Sequence, residues 1–264
     1  MDNALTDESY WNAIWNFAGG HAATPAPPNE AEPTTKWRDQ AIAKHLGQTR
    51  RFLEVGAGGS PWPAFVSKKY NAESWGIDFS RPGLELAASA AVANNQSISL
   101  VAGDVFDRAL LPAGYFDVVY SGGFVEHFPF SLPVMERLGE LVKEDGVVVT
   151  AVPNLCGVNG TLQKLVDLET YNRHVVISPA ALDAAHAAAG LVAVEPARFV
   201  GVIDLAAVNL TRLVARMPSL MFRALTFAFA KLHLAGYWID ERSGFDGGRW
   251  LAPMVGGIYR RARP

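Results

Sequence analysis

Glycines and acids with the spacing of a ligand cleft stand early in the chain. Glu54-Val55-Gly56-Ala57-Gly58-Gly59 closes one short apolar run, and Asp78 closes a second run 24 residues after Glu54. Glycines at a strand-to-helix turn let the backbone approach a ligand, and an acid at the tip of the next strand can accept hydrogen bonds from two ribose hydroxyls. The pair describes a cleft for a ribose that carries an amino acid, or for a dinucleotide. Without Asp78 the same glycines would read as an ordinary tight turn. A dinucleotide cleft wants a third glycine at position 61, and Pro61 stands there, removing an amide that a pyrophosphate would use. NAD and FAD are therefore disfavoured. Two histidines, His127 and His174, follow later strand-like runs whose carboxyl ends face the cleft in sheets of this kind. A neutral imidazole there can take the proton of a hydroxyl nucleophile, an effect worth about 10²–10⁴ in rate. Each could instead be a structural histidine bonded to a loop carbonyl. His21, His45, His186 and His233 fall in the linker or on predicted helices and are weaker candidates.

Strand-like and helix-like segments alternate from residue 50 onward, which predicts an α/β fold with a doubly wound, mostly parallel sheet. The expected strands are 51–55, 74–78, 98–102, 116–121, 146–152 and 191–197, with a last one at 253–261. Helices are expected at about 61–70, from the Ser80 cap to about 93, at 132–143, and after the Ser178-Pro179 pair. Ahead of this frame, residues 5–17 carry Tyr10, Ile14 and Phe17 at helical spacing with Trp11 and Trp15 beside them, and Thr6 is the expected cap. Residues 24–33 hold four prolines and predict an extended linker. The division is thus a lid helix and linker over 1–33 and one domain over 34–264. Residues 199–250 form an insertion with two apolar helical stripes, interrupted by Arg212, Arg216, Arg223 and Lys231. They are expected to cover the site or to join two subunits in a homodimer, and less readily to meet a lipid surface.

In the 264 residues, 23 basic and 26 acidic side chains give a net charge of −3, so no electrostatic footprint for nucleic acid is present. Half of the residues are hydrophobic, which is compatible with a large buried core. Cys156 is the single cysteine and the start of the chain is acidic, which predicts a reducing, cytoplasmic setting. The longest uncharged run, 146–163, is broken by Pro153, Asn154, Gly157, Asn159 and Gly160, so integral membrane association is not expected.

The motifs Leu53-Glu-Val-Gly-Ala-Gly58, Gly76-Ile-Asp78-Phe-Ser80, Gly103-Asp104-Val105, Phe116-Asp-Val-Val-Tyr-Ser121 and Phe124-Val-Glu126-His127-Phe occur in this order. Over about residues 50–197 and the final strand, the chain resembles the class I S-adenosylmethionine-dependent methyltransferases, more narrowly the UbiE/UbiG-like small-molecule type. The resemblance implies a Rossmann-like sheet of seven strands in the order 3-2-1-4-5-7-6, with only strand seven antiparallel. It implies S-adenosyl-L-methionine as cofactor, with Gly56 and Gly58 under its methionine part and Asp78 on its ribose. Phe79 would stack on the adenine, and Asp104 with the Val105 amide would read the adenine edge. Glu54, Ala57 and Ser121 complete the expected cofactor contacts. As plain structure, Asp104 would cap a turn, Phe79 would be core and Glu54 would meet a helix dipole.

Methyl transfer from a sulfonium is a direct displacement that alignment alone can promote by ~7–11 kcal/mol. The fourth strand ends in Ser121-Gly-Gly-Phe124 rather than the Asn/Asp-Pro-Pro-Tyr of base and glutamine amino-group methylases, and Glu126 lacks the second glutamate that guanidinium binding usually needs. A small-molecule acceptor remains, with Trp11, Trp15 and Glu126 on its side of the cleft and His127 or His174 as base. Related quinone O-methyltransferases complete a divalent-metal site with an acid three residues before the Glu-His pair, and here that residue is Gly123, so no metal is expected. The Gly59-Ser-Pro-Trp62 turn and the Pro153-Asn154 loop resemble those of polysaccharide and natural-product enzymes. The expected reaction is O-methylation of a sugar, a glycolipid precursor or a secondary metabolite. The alternatives are N- or carboxyl-methylation of a small metabolite, or a cofactor-binding scaffold without catalysis.

Overall fold

A computed structural model describes residues 4–21, 24–202, 204, 208 and 247–262. Seven strands make one sheet in the order β3-β2-β1-β4-β5-β7-β6, as the resemblance implied. They are β1 (Arg51–Val55), β2 (Glu73–Asp78), β3 (Ser99–Ala102), β4 (Phe116–Gly122), β5 (Val142–Pro153), β6 (Leu191–Val200) and β7 (Met254–Arg261). The pairs from β3 through β5 are parallel, and β7 runs antiparallel to both β5 and β6.

Hydrophobic side chains on both faces of the central strands explain their depth. Phe52, Leu53, Val55, Val118, Val119, Val148 and Val149 are all completely buried, as expected of a sheet covered on both sides. Leu53, Val119 and Val148 belong to one buried cluster, while Phe52, Val118 and Val149 belong to another. Strand order reverses at β1 and β4, so the crevice at the carboxyl ends of these strands is where such a sheet binds ligands. In register, Val55 faces Ser121 of β4 and Ile77 of β2.

Helices α3 (Trp62–Tyr70), α4 (Arg81–Ala93), α5 (Leu132–Leu141) and α8 (Pro179–Ala188) follow strands as expected. The Ser80 and Ser178 hydroxyls accept from the amides of Gly83 and Ala181, which caps α4 and α8. Other boundaries moved for physical reasons. The aromatic helix α1 occupies Glu8–His21 rather than 5–17, because Asp7, and not Thr6, takes the cap: its carboxylate accepts from the Tyr10 amide at 2.8 Å. Thr6 instead accepts from the Trp11 indole at 3.0 Å. Helix α2 (Pro33–His45) escaped sequence reading because its buried set, Thr34, Thr35, Trp37, Ala41 and Ile42, includes two polar threonines and gives little periodic contrast. Strand β5 begins at Val142, inside a charged run, where Val142 pairs with Phe116 ahead of an irregularity in the ladder.

Strand β6 reaches Val200, three residues past the expected end at 197. The two helical stripes expected within the insertion, and any dimer contact through them, lie outside the described residues. Helices α6 (Val158–Val166) and α7 (Leu168–Asn172) fill the segment after β5, and the short α9 (Gly248–Leu251) leads into β7. Among the described residues no helix is long and apolar enough to cross a membrane.

Candidate active site

A cavity of about 750 Å³ opens at the carboxyl ends of β1, β2, β3 and β4. Its floor is the turn after β1. Gly56 has φ +80° and Gly59 has φ +66°, and a Cβ on Gly56 would lie 2.9 Å from the Phe124 ring. Only glycine fits that combination of backbone and neighbour. The amides of Gly56 and Ala57 both donate to the Ile77 carbonyl, which ties the turn to β2.

Asp78 completes the turn. One carboxylate oxygen accepts from the Gly58 amide at 2.9 Å and the other from the Ser80 amide at 2.8 Å. Each oxygen keeps a lone pair for a further donor. Burial raises the Asp78 carboxyl above its ordinary range, and the two amides act against that shift. Phe79 and Asp104 line the same cavity with Gly103 and Val105. Asp104 also caps its own turn, accepting from the Phe106 amide at 3.0 Å, so the plain reading of that residue holds alongside its place at the cavity. Phe79 belongs to neither large buried cluster.

Three of the residues expected at the cofactor lie beneath the lining. Ala57 and Ser121 are completely buried, and Glu54 is 2% exposed. Oε2 of Glu54 has no hydrogen-bond partner, and burial pushes this carboxyl up to about 8, partly opposed by the Ser60 hydroxyl and the Arg38 guanidinium.

Helix α1 forms the roof. Trp15 lies against the glycines, since a Cβ on Gly58, Gly59 or Gly83 would fall within 2.9 Å of its indole. The Ser80 hydroxyl donates to Asn12 of the same helix at 2.7 Å. Trp11 stacks on Trp15 with centroids 5.9 Å apart and meets the His127 ring edge-on at 5.2 Å. Both tryptophans line the cavity, with Trp15 at the glycine-rich end and Trp11 at the histidine end.

His127 sits on a single 3-10 turn, Val125–His127, just past β4. It is 4% exposed and lines the cavity. Its Nδ1 lies 2.9 Å from the Arg173 carbonyl. A carbonyl can only accept, so Nδ1 carries the hydrogen and Nε2 keeps the lone pair. Burial, helped by the neighbouring His174, pushes the imidazole down to about 4. His174 has the same arrangement, with Nδ1 2.7 Å from the Thr170 carbonyl, and its ring centre is 4.6 Å from that of His127. His174 stands behind His127 and outside the cavity lining.

Glu126 also stands behind, 2% exposed, with Oε2 unpartnered and its carboxyl pushed by burial to about 8. Glu126, His127 and His174 bring one donor atom each within 4.8 Å of one another. Gly123 adds no ligand to them, and each imidazole has already given Nδ1 to a carbonyl.

Sequence reasoning missed the aromatic wall of Phe106, Phe124 and Phe128, whose rings pack with centroids 5.0–5.9 Å apart. The Phe124 and Phe128 spacing inside the Glu-His motif was the available signal. It also missed Arg173, whose only mark was adjacency to His174.

A model for the family described as "Methyltransferase domain" matches residues 30–195. The chain is 28% identical over 196 residues to a protein named ubiquinone biosynthesis O-methyltransferase from Psychrobacter arcticus, an alignment spanning 69% of this chain and 76% of that one. It is 29% identical over 139 residues to one of the same name from Vibrio parahaemolyticus, spanning 50% of this chain but 59% of its relative. The solved CcbJ methyltransferase from Streptomyces caelestis shares the fold with a TM-score of 0.56 at 19% identity, covering 98% of this chain and all of that one. A glycine turn, an acid at the tip of β2 and a roofed cavity at the switch point fit S-adenosyl-L-methionine, and the chain belongs to the methyltransferase-domain family.

Proposed function

We propose that this protein methylates a hydroxyl group on a small molecule, and that His127 receives the hydroxyl proton. The observation that carries the reading is that His127 lines the cavity with Nδ1 committed to the Arg173 carbonyl, which leaves Nε2 as the nitrogen with a free lone pair. The relatives named as O-methyltransferases favour oxygen as the accepting atom. S-adenosyl-L-methionine supplies an electrophilic methyl group. Asp78 would hold the ribose, the Gly56 and Gly58 turn would lie under the methionine part, and Phe79 with Asp104 and Val105 would hold the adenine. Trp11, Phe124 and Phe128 give the cavity an aromatic lining, which suits a hydroxylated ring in a sugar, glycolipid precursor or secondary metabolite.

With its pKa pushed down to about 4 by burial, His127 is neutral near pH 7 and able to accept a proton. The same burial makes it a weak base, and it takes the proton only as the oxygen forms its new bond and its hydrogen becomes acidic. The Arg173 carbonyl stabilises the imidazolium that results. Trp11 and Trp15 keep water from the reacting oxygen. No metal enters this scheme. The lone Cys156 favours a reducing, cytoplasmic setting.

The test is a panel of catechols, phenols, glycosides, amines and carboxylic acids scored by release of S-adenosylhomocysteine. Hydroxyl compounds should be methylated, and His127→Ala should lower turnover on them by at least ~10². Methylation confined to amines or carboxylates, or full activity in His127→Ala, would overturn the proposal.

A further inference from the structure

Arg173 touches two things at once. Its backbone carbonyl accepts the Nδ1 hydrogen of His127 at 2.9 Å, and its guanidinium lies 4.2 Å from the centre of the Tyr10 ring on α1. On its other side, the guanidinium is paired with Glu169 at 2.9 Å, and its Nε is buried with no hydrogen-bond partner. A guanidinium that gives up a hydrogen bond to stay over a ring is held there by the ring. Tyr10 also meets the Thr170 side chain, and Thr170 supplies the carbonyl that fixes His174. The segment that orients both imidazoles is thus clamped to the roof helix through Tyr10, with the Asp7 carboxylate at the start of that helix also attracting the Arg173 guanidinium. The backbone runs the same way, since the Leu5 amide, just ahead of α1, donates to the His127 carbonyl at 2.8 Å.

We propose that Arg173 is a positioning residue that ties the docking of α1 to the tautomer of His127. With Tyr10 in place, the 172–174 backbone is held where its carbonyl meets Nδ1, and the lone pair of His127 faces the cavity. When Tyr10 leaves, the carbonyl is free to drift, Nδ1–H loses its acceptor, and the Nε2–H tautomer becomes populated. That tautomer presents a hydrogen instead of a lone pair to the acceptor and cannot take its proton. Only the closed roof therefore carries a competent base. The consequence for catalysis rests on the hydroxyl-methylation reading, whereas the link between Tyr10 and the imidazole does not.

The experiment is nitrogen-15 NMR of the histidine rings in the full chain saturated with S-adenosylhomocysteine, with His127→Gln assigning the signals. Wild type should show His127 as a single tautomer with hydrogen on Nδ1. Tyr10→Leu should shift the tautomer ratio by about two- to thirty-fold toward Nε2–H, the range of one cation–π contact, while leaving affinity for S-adenosylhomocysteine unchanged. Tyr10→Phe, which keeps the ring, should restore the wild-type pattern. Arg173→Leu keeps the carbonyl and removes the clamp, so it makes the same prediction as Tyr10→Leu through a residue outside the roof helix. A wild-type tautomer pattern in both leucine variants overturns the proposal, and so does a Tyr10→Phe protein that behaves like Tyr10→Leu. Full turnover in His127→Gln would defeat the proposed function and still leave the tautomer shift standing as its own result.

Discussion

Replacing Asp78 with alanine tests the cofactor cradle at its most connected atom pair. The two carboxylate oxygens accept from the Gly58 and Ser80 amides, and each has one lone pair left for a ribose hydroxyl. Hydrogen bonds to a charged group contribute about 1.5–3 kcal/mol each, so losing both ribose contacts costs about 3–6 kcal/mol of binding. That corresponds to a dissociation constant raised about 10²–10⁴-fold. The loss of the Gly58 tether adds to this by freeing the turn under the methionine part. Calorimetric titration with S-adenosylhomocysteine reads the effect directly, and a thermal melt run beside it shows that the variant is folded. Asp78→Asn should fall between wild type and alanine, because its amide oxygen can still accept from one backbone amide while its NH₂ group faces donors. A folded Asp78→Ala protein with unchanged affinity would refute the placement of the ribose.

Three further outcomes follow from the same geometry. Gly58→Ala places a methyl 2.8 Å from Trp15 Nε1 and 2.9 Å from Asp78 Oδ2, so it should push α1 off the turn. Stability should fall by about 1–3 kcal/mol with a change in tryptophan fluorescence, and an unperturbed spectrum and melt would count against the roof. Burial raises Glu54 and Glu126 to about 8, so their contribution is complete below the ordinary carboxylate range and is lost as pH rises through about 8. Buried His127 and His186 are lowered to about 4, and their contribution acts oppositely, being complete above about 6.5 and lost as pH falls toward 4. From about pH 6.5 to 8 only the carboxyl effect remains between these two sets, so thermal stability should decline, and the decline should be shallower in Glu126→Gln. Identical profiles for the two proteins would contradict the burial argument. Finally, treatment with a chelator should leave methyl transfer unchanged, since Gly123 gives no ligand and His127 needs none to accept a proton; activity lost to the chelator and restored by a divalent ion would reassign Glu126, His127 and His174 to metal binding.

Much of the cradle was legible because its chemistry is local. The glycines after β1 and the acid ending β2 follow from one strand-turn-helix unit, and β1 itself occupies the expected 51–55. The full strand order, including antiparallel β7, came from the resemblance and not from periodicity. The roof was legible only as a helix rich in aromatics. Which end of the cavity each tryptophan meets depends on the path of residues 24–32 and on the docking of α1 over the turn, and neither is written in helical spacing. The same limit hid Arg173, whose importance comes from a carbonyl contact to a residue 46 positions away and a ring contact to Tyr10 near the start of the chain. Helix α2 was hidden for another reason. Trp37 packs where Gly256 leaves room, with a Cβ at that glycine only 2.5 Å from the indole, so long-range fit and not amphipathicity selects that helix.

A crystal structure of the protein with S-adenosylhomocysteine tests the central claim most directly. The ribose hydroxyls should sit on Asp78, the adenine should lie between Phe79 and the Asp104–Val105 turn, and the sulfur should face the space bounded by Trp11, Phe124 and His127 Nε2. Nucleoside density elsewhere, or a sulfur turned away from His127, would contradict it.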